Sequence, residues 1–274
     1  MPNEFPSFVY GTAWKEDRTA TLTELALRTG FRAIDTANQR KHYFEAGVGE
    51  ALAAAYRAGF TTRDDLFLQT KFTYQQGQDH RLPYDPCAPL ATQVAQSLAS
   101  SLDHLRTDHV DSFVLHGPAS NYEWTGSDSE VWEAMRKLRD EGHMRSLGLS
   151  NVTLQHLEQM KSVGLELPRS VQNRCFARLG WDREVRSFCS EHNIVYQGFS
   201  LLTANPEVVR HPAIAALART LGTTPPQLIF CFSRAVGILP LTGSANAEHL
   251  QQDLASVHLA LPPEVIAAIE SIAG

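Results

Sequence analysis

Apolar and polar positions follow two alternating patterns along the chain. Short runs rich in β-branched residues alternate with longer segments in which apolar residues recur every three or four positions. Side chains repeat with a period of about two in a strand and about 3.6 in a helix, so these patterns predict strands and helices respectively. The predicted strands span residues 8–11, 33–36, 66–71, 110–116, 146–149, 170–172, 194–199 and 237–240. The predicted helices include residues 21–29, 47–58, 91–105, 129–141, 154–163 and 261–273.

The third of these helices shows the clearest apolar stripe. Val94, Leu98, Leu102 and Leu105 recur at spacings of three and four, which places them on one face of the helix. That face is expected to pack against the sheet.

Several residues at the helix ends have the chemistry of caps. Asp128 or Ser129 is expected to cap the fourth helix and Thr153 the fifth, because their side-chain oxygens can accept from an unpaired amide of the first turn. Gly30 and Gly142 follow helices, where a left-handed residue is favoured.

The alternation of strands and helices predicts βαβ units and an α/β fold with a parallel sheet. No linker, low-complexity tract or charge run interrupts it, so residues 1–274 are expected to form one domain. An open doubly wound sheet is the alternative, but its glycine-rich fingerprint is missing after the first strand, where the chain reads GTAWK. The sequence therefore predicts a single (β/α)8 TIM barrel.

Composition narrows the class of protein. Hydrophobic residues make up 43% and charged residues 20% of the chain, which is typical of a globular protein with a large core. A formal charge of −6 argues against nucleic acid as a partner. No apolar stretch is long enough to span a membrane, and residues 1–6 do not resemble a leader peptide, so the expected location is the cytoplasm. The four cysteines lie far apart without metal-ligand spacing, and no metal site is expected.

Polar residues close several of the predicted strands. Asp35, Lys71 and His116 end the second, third and fourth strands, and Ser150 with Asn151 follows the fifth. A single polar residue there only marks the point at which a strand reaches solvent. Three ionisable residues on consecutive strands meet at one rim of a barrel, where active sites of this fold lie, and would shift each other's pKa values.

Longer motifs carry a family resemblance. The chain reads GTAW at the first strand, then FRAIDTA, EAGVGEAL, QTKF, DHVDSFVLHGP, MRSLGLSN and SVQN. In these motifs it resembles the aldo-keto reductases over nearly its whole length. The resemblance implies an oxidoreductase that reduces aldehydes or ketones to alcohols with a reduced nicotinamide. It also implies a catalytic tetrad of Asp, Tyr, Lys and His, in which Asp35, Lys71 and His116 match directly.

The tyrosine of the tetrad is less simple to place. The family commonly has it five residues after the aspartate, where this chain has Arg40, and the segment NQRKHYFEAG carries a short insertion. Counting back from Glu45 gives His42, whereas the chemistry indicates Tyr43, which is the preferred assignment because a phenol is the expected acid. Tyr43 would donate a proton to the carbonyl oxygen, and Lys71 beside it would lower its pKa. Asp35 would hold Lys71, and His116 would help to place the substrate oxygen.

The resemblance also implies cofactor contacts. Ser150, Asn151 and Gln172 match residues that bind the nicotinamide carboxamide, and Phe199 matches the aromatic that stacks on the ring. The remaining implied contacts in this half of the nucleotide site are Thr12, Ala13, Asp35, Ser200 and Leu202.

The segment LTGSANAEHLQQDL departs from the family pattern. Typical members have a lysine before the residue that is Ser244 here and an arginine five residues further on, where this chain has Gly243 and His249. Two cations that could bind a 2′-phosphate are therefore missing. NADPH remains the first expectation and NADH the alternative. Ser244, His249, Gln252 and Asp253 are the expected contacts to the adenosine end.

Three residues are expected at the substrate pocket, namely Trp14, His116 and Trp124, with Tyr74 as a further wall. Many members have a longer C-terminal loop over the pocket, so a chain ending at Gly274 is expected to leave it open. The main alternative function is a nicotinamide-binding sensor or auxiliary subunit with little turnover. A second alternative is an isomerase or lyase without nicotinamide, for which TGS at 242–244 is the only hint. The sequence does not indicate an oligomeric state.

Overall fold

The computed structural model describes residues 5–272. Eight parallel strands follow one another around a closed barrel, and the last pairs with the first. The strands are β1 (Val9–Gly11), β2 (Ala33–Asp35), β3 (Phe67–Phe72), β4 (Val110–Leu115), β5 (Met144–Ser150), β6 (Ser170–Arg174), β7 (Val195–Phe199) and β8 (Ile238–Thr242). The predicted (β/α)8 barrel is confirmed.

Helices surround the barrel and connect its strands. They are α1 (Thr19–Thr29), α2 (Glu45–Arg57), α3 (Leu90–Leu105), α4 (Gly126–Asp140), α5 (Leu154–Ser162), α6 (Arg183–Glu191), α7 (Pro206–Val209), α8 (Pro212–Thr220), α9 (Pro225–Ala235), α10 (Ala247–Ala255) and α11 (Pro263–Ser271). Short 3₁₀ turns lie at Glu16–Arg18, Arg63–Asp65, Gln75–Gly77, Ala177–Asp182 and Ser256–His258. Residues 1–4 and 273–274 lie outside the described part. Most of residues 1–6, which are expected not to be a leader peptide, and Ala273 of the last predicted helix therefore lie outside it.

The apolar stripe of α3 packs as predicted. Val94, Leu98 and Leu105 are buried in the main core cluster, and Leu102 packs against it from a partly buried position. The helix is therefore fixed on the barrel by the periodicity visible in the sequence.

The helix caps agree with the sequence at α5 and differ at α4. Thr153 accepts from the amide of His156, as predicted. The cap of α4 is Thr125, and neither Asp128 nor Ser129 caps the helix, which begins at Gly126. Asp128 lies in the first turn and accepts from the Thr125 amide at 2.8 Å. The hydroxyl and the carboxylate satisfy each other's backbone amides in a capping box, which fixes the earlier start.

Strand register brings the polar strand ends to one face of the barrel. Asp35 lies beside Gln69, and Ser150 lies beside Gln172. Because all strands run parallel, their carboxyl ends and the loops that follow them open to the same side. The polar residues predicted at the strand ends therefore lie together on one face of the barrel.

Within residues 5–272, no helix is long and apolar enough to cross a membrane. The same part of the chain holds no group of three or more His, Cys, Asp or Glu side chains that could bind a metal ion. Cys175, Cys189 and Cys231 are buried and Cys87 is exposed, all as free thiols.

Candidate active site

A buried ion pair lies at the centre of the barrel mouth. Lys71 Nζ is 2.6 Å from Asp35 Oδ1 and also donates to the Thr36 carbonyl at 2.7 Å. The Lys71 side chain is fully buried, and burial lowers its pKa while the Asp35 carboxylate opposes that shift. Burying two charges costs several kcal/mol per ion, in order of magnitude, before they attract each other. A buried ion pair of this kind contributes little to the stability of the fold, which indicates a chemical role for it.

Tyr43 packs directly on this pair. Its ring centroid is 5.2 Å from Lys71 Nζ and 5.8 Å from the centroid of the His116 ring. Burial raises the pKa of Tyr43 above its ordinary value, and the Asp35 carboxylate adds to the rise. The expected lowering by Lys71 is not found, because Nζ lies over the face of the ring and donates to Asp35 and Thr36 instead. The phenol therefore keeps its proton at neutral pH.

His42, the other candidate for the tyrosine position, has different neighbours. Its ring packs against Trp14 in a tilted arrangement with a centroid distance of 4.0 Å, and its carbonyl accepts from the Trp14 amide at 2.7 Å. Burial and the nearby Lys41 lower the pKa of His42. Tyr43, rather than His42, contacts the Lys71 ammonium in this arrangement.

His116 follows β4 and is oriented by a residue that sequence reasoning missed. Its Nδ1 lies 2.7 Å from Thr73 Oγ1, and the tyrosine ring packs on its other side. Burial, with the Lys71 charge beside it, lowers the pKa of His116 well below its ordinary value, so the ring is neutral. Thr73 stands two residues after Lys71, on the same side of the chain, and that spacing was the available signal.

The three predicted carboxamide contacts join this group. Ser150 Oγ donates to the Gln172 carbonyl at 2.7 Å, and Asn151 Nδ2 donates to the His116 carbonyl at 2.7 Å. Gln172 Nε2 donates to Asp35 Oδ1 at 3.0 Å. Asn151 Oδ1 and Gln172 Oε1 have no hydrogen-bond partner among residues 5–272. A primary amide, which offers two N–H donors, fits these free acceptors.

The other residues predicted to contact the nicotinamide end differ from one another in burial and in hydrogen bonding. Phe199 ends β7 half-buried, with the Arg174 guanidinium 5.6 Å from its ring centroid. Thr12 is buried and its hydroxyl donates to the Asp35 carbonyl at 3.0 Å, so that hydroxyl supports the backbone. Ala13, Ser200 and Leu202 are partly buried on the loops that follow β1 and β7.

The end of β8 supplies a second group. Ser244 is partly buried, His249 is exposed, and Gln252 Nε2 donates to Glu248 Oε1 at 3.3 Å. Lys15, which the sequence analysis did not select, donates from Nζ to the Gly243 carbonyl. The Lys15 cation, from the loop after β1, thus contacts residue 243, the sequence position at which typical members of the family have a lysine.

Asp253 is placed differently from the expectation. Its side chain is buried and accepts from Thr242 Oγ1 at 2.7 Å, so the structure does not offer it to an adenine. Burial raises the pKa of Asp253 to about 6. Its position seven residues into α10, on the face that packs inward with Leu250, explains this.

The pKa of Asp253 predicts a pH-dependent stability. The folded state holds the proton up to about pH 6, whereas an unfolded aspartate releases it near pH 4, so the free energy of unfolding should fall as pH rises between these values. Asp253→Asn keeps an acceptor for Thr242 and cannot ionise. Urea unfolding should show the variant more stable by roughly 2 kcal/mol at about pH 7.5, with the difference vanishing near pH 4. A difference that is the same at both pH values would contradict this.

The aromatic residues predicted for the substrate pocket differ in exposure. Trp14 is 67% exposed to solvent, and its backbone has φ of 61°, which is a costly conformation for a large side chain. Trp124 is half-buried with its indole N–H bound to Ser129 at 3.0 Å, and Tyr74 donates to Asp128 at 3.0 Å. Of these three aromatic residues, Trp14 is the one whose side chain is left exposed to solvent.

The chain is similar to known aldo-keto reductases. The model of the Aldo/keto reductase family matches residues 9–205. An aldo-keto reductase of Mycobacterium ulcerans is 29% identical over 271 residues, covering 98% of this chain and 88% of the relative. One from Mycobacterium bovis is 30% identical over 236 residues, covering 86% of this chain and 75% of the relative.

Solved structures share the fold. The aldo/keto reductase of Brucella melitensis superposes with a TM-score of 0.83 at 24% identity, covering 98% of this chain and 94% of the other. The structure of an aldo-keto reductase complexed with NADPH superposes with a TM-score of 0.84 at 20% identity, covering 98% of this chain and 85% of the other. With the barrel, the strand-end residues and the family match together, this chain belongs to the aldo/keto reductase family of oxidoreductases.

Proposed function

We propose that this protein reduces small aldehydes or ketones to alcohols with NADPH, and that Tyr43 is the proton donor. The observation that carries the proposal is the group at the barrel mouth: a protonated phenol packed between a buried, paired ammonium and a neutral imidazole. A phenol that holds its proton at neutral pH can act as the acid that reduction of a carbonyl requires.

The roles follow from the charge that develops. A reduced nicotinamide, when bound, would supply the hydride for the carbonyl carbon, and negative charge would then develop on the carbonyl oxygen. Tyr43 donates its phenolic proton to that oxygen, and Lys71, whose Nζ lies 5.2 Å from the ring centroid, stabilises the phenolate that remains. Asp35 keeps Lys71 charged and in place at 2.6 Å. His116 is held through Nδ1 by Thr73, and its Nε2, which has no hydrogen-bond partner among residues 5–272, can contact the substrate oxygen.

The residues present suit a nicotinamide nucleotide. The unpaired acceptors of Asn151 and Gln172, with Ser150 beside them, fit a carboxamide, and Phe199 offers an aromatic face. A structural neighbour complexed with NADPH supports the choice of nucleotide. Lys15 at the Gly243 carbonyl supports it further, because it returns a cation to the end of β8.

Lys15 gives a test of nucleotide preference. Lys15→Met keeps most of the apolar stem and removes the charge, so it should raise the Kd for NADPH about tenfold and leave the Kd for NADH nearly unchanged. The two constants can be measured by nucleotide fluorescence at fixed ionic strength. An equal loss for both nucleotides would place Lys15 at the pyrophosphate that they share.

The function itself is tested by titrating the purified protein with NADPH and, separately, with NADH, followed by addition of 4-nitrobenzaldehyde. Aldehyde-dependent loss of the reduced-nicotinamide absorbance is the expected result. Binding without turnover across several carbonyls would instead indicate a sensor or auxiliary subunit. If neither nucleotide binds, the proposal is wrong.

A further inference from the structure

Three buried amides lie beneath the Asp35–Lys71 pair. Gln69 on β3, Gln172 on β6 and Gln197 on β7 are 1%, 3% and 0% exposed. Asp35 is the register neighbour of Gln69, and Gln172 is the neighbour of Gln197, so two pairs face each other across the barrel. Burying an amide is costly unless its donors and acceptor are bonded. Each N–H group of the three amides therefore has to face an acceptor, and this requirement restricts how the amides can be oriented.

The charge of Asp35 decides the orientation of the first two amides. Its Oδ1 accepts from Gln69 Nε2 at 2.7 Å and from Gln172 Nε2 at 3.0 Å, in addition to Lys71. A carboxylate can only accept hydrogen bonds, so both glutamines must turn their NH₂ groups towards it. Neither amide can be flipped without placing two acceptors against each other.

Gln197 completes the network. Its Oε1 accepts from Gln69 Nε2 at 2.9 Å and from Gln172 Nε2 at 3.0 Å, and its Nε2 donates to Gln69 Oε1 at 3.0 Å. Both N–H groups of Gln172 are then bound, one to Asp35 and one to Gln197. Two bound donors on one planar group fix its plane, and with it the direction of the free Oε1.

We propose that Gln69 and Gln197 are positioning residues: Gln197 binds the N–H of Gln172 that Asp35 does not, Gln69 holds Gln197 in place, and together they keep the Gln172 oxygen directed towards the cofactor. The proposal rests on the proposed function, since the group that meets Gln172 is a nicotinamide carboxamide. An acceptor held in this direction binds an amide N–H and repels a carboxylate. The site should therefore distinguish nicotinamide nucleotides from the nicotinic acid analogue.

The experiment compares three ligands on each variant: NADP⁺, nicotinic acid adenine dinucleotide phosphate, and 2′,5′-ADP, which lacks the nicotinamide end. Kd values are measured by calorimetry, without turnover. Wild-type protein should prefer NADP⁺ to the acid analogue by at least about tenfold. Gln197→Leu should weaken NADP⁺ binding about fivefold, narrow that preference, and leave 2′,5′-ADP unchanged. Gln93→Leu is the matched control, because it removes a buried amide in α3 whose side-chain bonds, within residues 5–272, go to the Pro86 and Ala88 carbonyls.

A double variant separates positioning from stability. Gln197→Leu leaves Gln69 Oε1 unpaired and should lower the unfolding midpoint, whereas Gln69→Leu with Gln197→Leu removes both partners and should recover much of it. If the two glutamines position Gln172, the double variant should still show the narrowed preference for NADP⁺ over the nicotinic acid analogue. Recovery of both stability and preference would overturn the proposal, as would an unchanged preference in Gln197→Leu.

If wild-type protein binds 2′,5′-ADP but shows no preference between the other two ligands, the positioning proposal fails. If it binds none of the three, the proposed function fails instead.

Discussion

Replacement of Tyr43 with phenylalanine should lower kcat for aldehyde reduction about a thousandfold and leave the Kd for NADPH within about twofold. The change removes one hydroxyl, and the ring that packs on Lys71 and His116 stays. Only the proton that the carbonyl oxygen needs is lost. Steady-state kinetics and nucleotide fluorescence on the same preparation measure both quantities.

The neighbouring histidine supplies the control. His42→Phe preserves an aromatic ring against Trp14 and removes the imidazole, so turnover should stay within a few-fold of wild type. If His42→Phe abolishes turnover while Tyr43→Phe retains it, the proton donor is His42 and the insertion in the loop has kept the family register. The two variants together decide between the assignments that the sequence left open.

Replacement of Gly49 with alanine should lower the free energy of unfolding by about 3 kcal/mol or more. A Cβ at this position would clash with the backbone of the neighbouring helix, namely the His104 carbonyl, and would lie 3.1 Å from Leu105 Cα. Backbone atoms cannot rotate away as a side chain can, so α2 must separate from α3. Urea unfolding followed by circular dichroism measures the loss.

The same variant should also affect the site, because α2 begins at Glu45, two residues after Tyr43. Glu45 anchors this end of the helix through Thr70 on β3 and through His104 at 3.2 Å. Gly126→Ala is the matched control: a Cβ there meets nothing within 4 Å, and stability should stay the same or rise slightly. A Gly49→Ala protein as stable as wild type would mean that the helices approach each other less closely than described.

The candidate catalytic centre could be predicted because its members are marked by local pattern. Asp35, Lys71 and His116 each end an apolar run, and parallel strands of a barrel must bring such ends to one face. Thr125 was overlooked as a cap because Asp128 and Ser129 are equally good capping residues in the sequence. Only the reciprocal bonds of the capping box distinguish them.

The charges at the site could not be predicted in the same way. Lys71 was expected to lower the pKa of Tyr43, but the structure places the ammonium over the ring and binds it elsewhere, so burial dominates. Asp253 was expected to contact the adenosine end of the nucleotide, but its side chain is buried against Thr242. Lys15 looked unremarkable and lies at Gly243. Each outcome depends on which groups meet from distant parts of the chain.

The sequence by itself determined the barrel, the face that carries the site and the ionisable residues at its centre, because hydrophobic period and strand ends are local properties of the chain. The tertiary structure alone decided the contacts that orient those residues. Tyr43 takes its place through the path of an inserted loop, Thr73 through its approach to His116, and Gln69 with Gln197 through bonds between residues 128 positions apart. Closing the barrel brings such side chains into contact, and no period in the sequence records which of them will meet.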